Sequence, residues 1–204
     1  MPENVKPRFD RWLDTASGKR INLARPSVES VAIEDIAGAL SRICRFGGHT
    51  IEFYSVAQHS VLVAELVARI GRPDLGLLAL HHDSHEAYLG DMPTPLKKRL
   101  DDVGQYSGYG DLVTNIDTVI GQALGILLPV SGEDKTAVKL ADRMAFQVEA
   151  RRLLPNNGRY AIGDDDYTAM PEVVECPEPL PPVDAARQFL STHERLAAQI
   201  AVVL

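Results

Sequence analysis

Residues 55–71 read SVAQHSVLVAELVARIG and predict a helix at the centre of the fold. The Ser55 hydroxyl can cap its first turn while Gln58 reaches back in a capping box, and Gly71 ends it. The inward stripe has helical spacing and consists of Val56, His59, Val63, Leu66, Val67 and Ile70. One histidine therefore faces the core among aliphatic side chains.

The next segment, DLGLLALHHDSHEAYL at residues 74–89, predicts a second long helix that ends at Gly90. Helical spacing aligns His82 and Glu86 on the apolar face, with Asp83 beside them. A histidine and two acids thus point toward the core. The residues that follow, DMPTP, break the helix, and a short one begins at Thr94 and runs to about Leu100.

The remaining chain is also predominantly helical in its spacing. We expect helices over 33–46, 109–127 and 133–154, a long surface loop over 155–182, and a terminal helix over 184–204. Near the N-terminus, RWLD, TASG and KRINLA predict a small hairpin, and TIEFY at 50–54 predicts a short extended piece. The expected fold class is all-α, a helical bundle with a small N-terminal β-hairpin, in a single domain over 1–204.

Composition narrows the function and the location. The formal net charge of −7, with no Lys/Arg run, argues against binding of long nucleic acids. No apolar run approaches the length that spans a bilayer, and the first residues do not read as a signal peptide, so we expect a cytoplasmic protein without a membrane partner. Cys44 and Cys176 are far apart, which predicts free, buried thiols in a reducing compartment.

The inward-facing acids need a compensating positive charge, because an ionised carboxylate removed from water costs several kcal/mol when it is unpaired. The helix over 133–154 places Asp142 on its inner stripe, as a third such acid beside Asp83 and Glu86. Arginine could serve as the shared partner. The imidazoles of His59 and His82 on the same inner stripes favour a divalent metal ion instead, and manganese, iron, cobalt and zinc all remain open.

These residues resemble a known family. The order H…HD…D on successive helices, with HD-x-x-E followed by G-D-x-P-T-P, resembles the HD-domain superfamily of metal-dependent phosphohydrolases, in its bacterial 5'-deoxyribonucleotidase branch. The resemblance covers about residues 35–150. It implies an all-helical bundle, often a homodimer, whose divalent metal is held by His59, His82, Asp83 and Asp142.

The resemblance also implies roles for three further residues. Glu86 would orient or deprotonate the attacking water, and Asp91 would contact the sugar hydroxyl or assist the leaving oxygen. Arg45 would hold the phosphate. Asp91 is also an ordinary turn residue after a glycine, and Arg45 could simply pair with the acids of the core. His81 and His85 lie on other faces of their helix and stay outside the predicted site.

The implied activity is hydrolysis of nucleoside 5'-monophosphates, with deoxyribonucleotides favoured, by a metal-activated water. Two alternatives stay open at this point. The same site could act on a cyclic nucleotide, a guanosine tetraphosphate or a deoxynucleoside triphosphate. The chain could also be a nucleotide-binding metalloprotein that has lost turnover.

Overall fold

The structure is a computed structural model that describes residues 11–126, 130–162 and 174–201. Two short strands, β1 (Trp12–Asp14) and β2 (Arg20–Asn22), pair antiparallel with Leu13 opposite Ile21. The α-helices are α1 (Ile33–Leu40), α2 (Val56–Arg69), α3 (Gly76–Leu80), α4 (Glu86–Leu89), α5 (Thr94–Asp102), α6 (Ser107–Leu124), α7 (Gly132–Leu153), α8 (Arg159–Ile162) and α9 (Pro182–Ala201). The prediction of an all-α fold with a small hairpin is confirmed.

Helix α2 is the central element, and it is more deeply buried than its predicted stripe. Every residue of α2 is buried except Glu65, Ala68 and Arg69, because α7, α3 and α9 all pack against it. Ser55 caps the helix as predicted, accepting from the backbone N–H of Gln58 at 3.2 Å. The predicted return bond from Gln58 is wrong: this side chain instead bonds the backbone of Glu178 and Leu180, and so anchors the segment before α9.

The single helix predicted over 74–89 is also wrong in its middle. A 3₁₀ turn (Pro73–Leu75) and α3 are followed by a tight turn at 81–85, and α4 begins only at Glu86. Hydrogen bonds between residues three apart replace the α-helical pattern here, as in Ser84 N–H to His81 O at 3.1 Å. The turn rotates the chain so that His82 and Asp83, which are adjacent, can face the same point.

The carboxyl-terminal half closes the bundle. Ser131 caps α7 by accepting from the backbone N–H of Asp134 at 3.0 Å, and Phe189 of α9 is completely buried in the core. The predicted loop over 155–182 is partly wrong, since residues 155–162 form a 3₁₀ turn and α8. Residues 163–173 lie outside the described residues. The TIEFY segment forms no strand; its neighbour Ser55 makes an isolated bridge to Cys44.

The cysteines and the apolar character of the helices were also predicted from the sequence. Cys44 and Cys176 are both free thiols, as predicted, but the prediction that they are buried is wrong, because each is only half-buried. Within residues 11–126, 130–162 and 174–201, none of the helices combines the length and the apolar character needed to cross a bilayer.

Candidate metal centre

Three separate elements bring His59, His82, Asp83 and Asp142 together. His59 projects from α2, His82 and Asp83 from the turn after α3, and Asp142 from α7. His59 Nε2 lies 3.2 Å from Asp142 Oδ1 and 3.7 Å from Asp83 Oδ2, and His82 Nε2 lies 3.1 Å from Asp83 Oδ2 and 3.8 Å from Asp142 Oδ1. His59, His82 and Asp142 each offer a donor atom within 4.8 Å of the others. The four predicted ligands therefore converge on one point.

The two imidazoles are held so that their Nε2 atoms face this point. Nδ1 of His82 lies 2.8 Å from the carbonyl oxygen of Ala79, which can only accept, so His82 carries its proton on Nδ1. Nδ1 of His59 lies 2.8 Å from Oε1 of Glu149 and donates to it in the same way. Both Nε2 atoms are buried and have no hydrogen-bond partner. Metal-binding histidines commonly show this arrangement: the ring nitrogen that does not bind the metal donates a hydrogen bond, and that bond fixes the tautomer.

The electrostatics of the cluster favour a positive charge at its centre. Burial alone would lower the pKa of His82, but the carboxylates of Asp83 and Asp142 raise that pKa well above its ordinary value. Conversely, burial alone would raise the pKa of Asp142, but the nearby imidazoles of His59 and His82 lower it. Either protons or a cation must therefore offset the two carboxylates. The donor set of two imidazoles and two carboxylates suits a divalent first-row metal.

Glu86 lies beside the cluster and is almost completely buried, with 2% of its surface exposed. Its Oε2 atom has no hydrogen-bond partner, and Nζ of Lys97 lies 4.0 Å from Oε1. Burial raises the pKa of Glu86 to about 9, and the charges of Asp83 and Asp91 add to this shift. Asp83, His85 and Glu86 form a second group of donor atoms within 4.8 Å of one another, so this side of the cluster could hold a further ion.

Arg45 and Asp91 are the two residues that were expected to contact the substrate rather than the metal. The Arg45 side chain is 11% exposed and its Nε donates to Oε2 of Glu149 at 3.1 Å. The Nε atom of Arg45 is therefore paired with an acid of the core, which is one of the two interpretations that the sequence left open. Asp91 is half-buried, and burial raises the pKa of its carboxyl while Arg45 opposes this shift.

Glu149 is the site residue that sequence reasoning missed. It is fully buried, and its two oxygens bind the imidazole of His59 and the guanidinium of Arg45. Burial acts to raise the pKa of Glu149, but His59 and Arg45 together hold that pKa below its ordinary value. The signal was present in the sequence, because Glu149 follows Asp142 by seven residues, which is two helical turns on the same face.

The other histidines have separate partners. His81 is buried, and its two ring nitrogens contact Ser84 Oγ at 2.8 Å and Nδ1 of the half-buried His193 at 2.9 Å. His85 Nδ1 lies 3.1 Å from Asp117 Oδ1. His49 is exposed.

A cavity of about 1100 Å³ opens from the cluster between α6 and α7. His82, Asp83 and Asp142 form part of its wall. Apolar side chains from both helices, including Ile120 and Val138, line another part. A small organic molecule could enter this space and reach the cluster, since ligand cavities commonly have volumes of about 300–1,000 Å³.

Two bacterial proteins are similar to the chain. The uncharacterized protein YfdR of Escherichia coli (strain K12) is 40% identical over 149 residues, which make up 73% of this chain and 76% of that protein. An uncharacterized protein of Rhodobacter capsulatus is 36% identical over 148 residues, covering 70% of this chain and 72% of that protein. No family model matches the chain.

Proposed function

We propose a function for this chain, which belongs to the same family as the Escherichia coli protein YfdR: metal-dependent hydrolysis of the phosphomonoester of nucleoside 5'-monophosphates, with deoxyribonucleotides preferred. The observation that carries the proposal is the pair of buried, unpartnered Nε2 atoms of His59 and His82 facing Asp83 and Asp142. Such an arrangement is unfavourable unless a cation or added protons lie between the imidazoles and the carboxylates, because buried polar atoms normally have partners, and the donor set suits a divalent metal.

His59, His82, Asp83 and Asp142 would hold the metal. A divalent ion supplies a more acidic water and polarises a phosphoryl oxygen. Glu86 would take the proton of the attacking water, because its Oε2 atom is unpartnered and its carboxylate has an oxygen within 4.8 Å of a donor atom of the ligand Asp83. The charges of Asp83 and Asp91 contribute to the raised pKa of Glu86, so a bound cation that offsets them would let Glu86 ionise and act as the base. The water oxygen then bonds to phosphorus, the ester P–O bond breaks, and the products are a nucleoside and inorganic phosphate.

Arg45 and Asp91 would act on the substrate. The Nε of Arg45 is engaged by Glu149, so the terminal nitrogens of the guanidinium are the groups that would hold the non-bridging phosphate oxygens. The raised pKa of Asp91 suits a group that passes a proton to the leaving oxygen. We also propose that the chain forms the homodimer that the family resemblance implies, which sedimentation of the purified protein would test.

A substrate panel tests the activity directly. Metal-loaded protein should release inorganic phosphate from deoxynucleoside 5'-monophosphates, and Glu86→Gln should abolish release while the protein still binds metal. Exposed His49 gives a control, because His49→Ala should leave turnover unchanged. Undiminished turnover in Glu86→Gln would exclude Glu86 as the base. Release of pyrophosphate or triphosphate from longer nucleotides, with none from monophosphates, would replace the proposed substrate class.

A further inference from the structure

One wall of the cavity between α6 and α7 contains two lysines, and the proposed reaction gives neither of them a role. Lys135 and Lys139 of α7 both line the cavity. They precede Asp142 on that helix by seven and three residues, so all three lie on one face. At a rise of 1.5 Å per residue, Lys135 is about 10 Å from Asp142 along the helix axis. The lysines therefore follow the cavity wall away from the metal ligands.

Neither lysine is neutralised within the described part of the chain. Lys135 and Lys139 are exposed, and no carboxylate among residues 11–126, 130–162 and 174–201 forms an ion pair with either. The carboxylate opposite them, Asp117, is engaged by Nδ1 of His85 at 3.1 Å. Lys135 and Lys139 are therefore the lysines of the cavity wall that an anion in the cavity would meet.

We propose that Lys135 and Lys139 bind a second phosphate group of the substrate, in the cavity that opens from the metal ligands. The preferred substrates are then nucleotides that carry a further phosphate besides the one hydrolysed. This inference rests on the proposed phosphohydrolase function. Lysine suits such a role because its ammonium acts as a compact point charge toward phosphate without demanding the planar geometry that arginine requires.

For a 3',5'-bisphosphate the reaction is still hydrolysis of a phosphomonoester, whereas for a 5'-diphosphate the bond that breaks is the phosphoanhydride and the nucleoside 5'-monophosphate is the leaving group. Water attacks the phosphorus at the metal end of the cavity, the P–O bond to the nucleotide breaks, and the released oxygen takes the proton that the water gave up. Inorganic phosphate leaves, and the second phosphate remains on the other product. The lysines act by binding alone, so their loss should raise KM more than it lowers kcat.

The test compares three substrates: deoxyadenosine 5'-monophosphate, deoxyadenosine 3',5'-bisphosphate and deoxyadenosine 5'-diphosphate. We expect kcat/KM for a doubly phosphorylated nucleotide to exceed that for the monophosphate by about 10-fold, which corresponds to one hydrogen bond to a charged group. Whichever of the two shows the preference identifies where the second phosphate is attached. The Lys135→Gln/Lys139→Gln variant should lose the preference, whereas Lys98→Gln, an exposed lysine of α5, should keep it.

A binding measurement decides the inference even without turnover. Calorimetric titration of Mn²⁺-loaded Glu86→Gln protein should show the bisphosphate or the diphosphate binding about 10-fold more tightly than the monophosphate, and adding the two lysine substitutions should remove the difference. Equal affinities for all three nucleotides, or a preference that survives the lysine substitutions, would overturn the inference. Absence of phosphate release from every nucleotide would instead count against the proposed function.

Discussion

Nδ1 of His59 lies 2.8 Å from Oε1 of Glu149, while the other oxygen of the same carboxylate accepts from Nε of Arg45 at 3.1 Å. One fully buried acid thus fixes both a candidate metal ligand and the candidate phosphate-binding residue. This relationship explains how a carboxylate stays ionised without water: the imidazole and the guanidinium supply the compensating hydrogen bonds and charge. It also makes Glu149 the residue through which the metal and the substrate sides of the site are joined.

Glu149→Gln should weaken metal binding without removing any ligand. Glutamine cannot accept from both His59 and Arg45 through equivalent oxygens, so His59 loses the partner that fixes its tautomer. Loss of such a partner lowers metal affinity by about 10–100-fold. Competition with a chromophoric chelator would measure the change. Glu65→Gln, an exposed glutamate of α2, is the matched control, and equal affinities in the two variants would contradict the role of Glu149.

Asp142→Asn should abolish the thermal stabilisation that added metal gives. A ligand that binds only the folded chain stabilises it by about 2.7 kcal/mol at a concentration of 100 Kd. Without Asp142, the cluster loses the carboxylate nearest to His59 Nε2, at 3.2 Å. Scanning the unfolding temperature with and without Mn²⁺ measures the effect. Asp111→Asn on the exposed face of α6 should respond like the unaltered chain, and a full metal response in Asp142→Asn would remove Asp142 from the shell.

The helical periodicity was sufficient to predict most of the fold. Apolar spacing located α2 and α7 to within one or two residues, with the cap at Ser55 as a further signal for α2, because those signals are local. The turn at 81–85 was missed for the opposite reason. Its residues have helical spacing, and only tertiary contacts, such as that of His81 with His193 on α9, favour the 3₁₀ bonding that is observed.

The same division applies to the site. The inward-facing stripes of the helices predicted His59, His82 and Asp142, because the helical period shows which polar side chains face the core. The stripe did not indicate that Glu149 would accept from His59, since the partner of a buried acid depends on how two helices cross. For Arg45 the sequence left two interpretations open, and the structure shows its Nε paired with Glu149.

Metal affinity should fall as the pH is lowered through the imidazole titration. Binding requires neutral imidazoles, so protons compete with the metal at His59 and His82. The carboxylates raise the pKa of His82 well above its ordinary value of 6.5, so the competition should begin above that pH. Chelator competition at a series of pH values measures it. An affinity that stays constant from alkaline pH down to below 6.5 would show that the imidazoles are not ligands.

Gly158→Ala should destabilise the fold strongly. Gly158 has a φ of +65°, and a Cβ added there would overlap the backbone carbonyl of Ala150 in the last turns of α7. Backbone strain alone costs about 1–3 kcal/mol, and displacing the end of α7 adds to it. Gly132→Ala is the matched control, because Gly132 begins α7 with open space around it and no positive φ. Its replacement should be neutral or stabilise by up to about 1 kcal/mol. Urea unfolding of both variants gives the two free energies, and a Gly158→Ala value within error of Gly132→Ala would mean that the turn after α7 relaxes without cost.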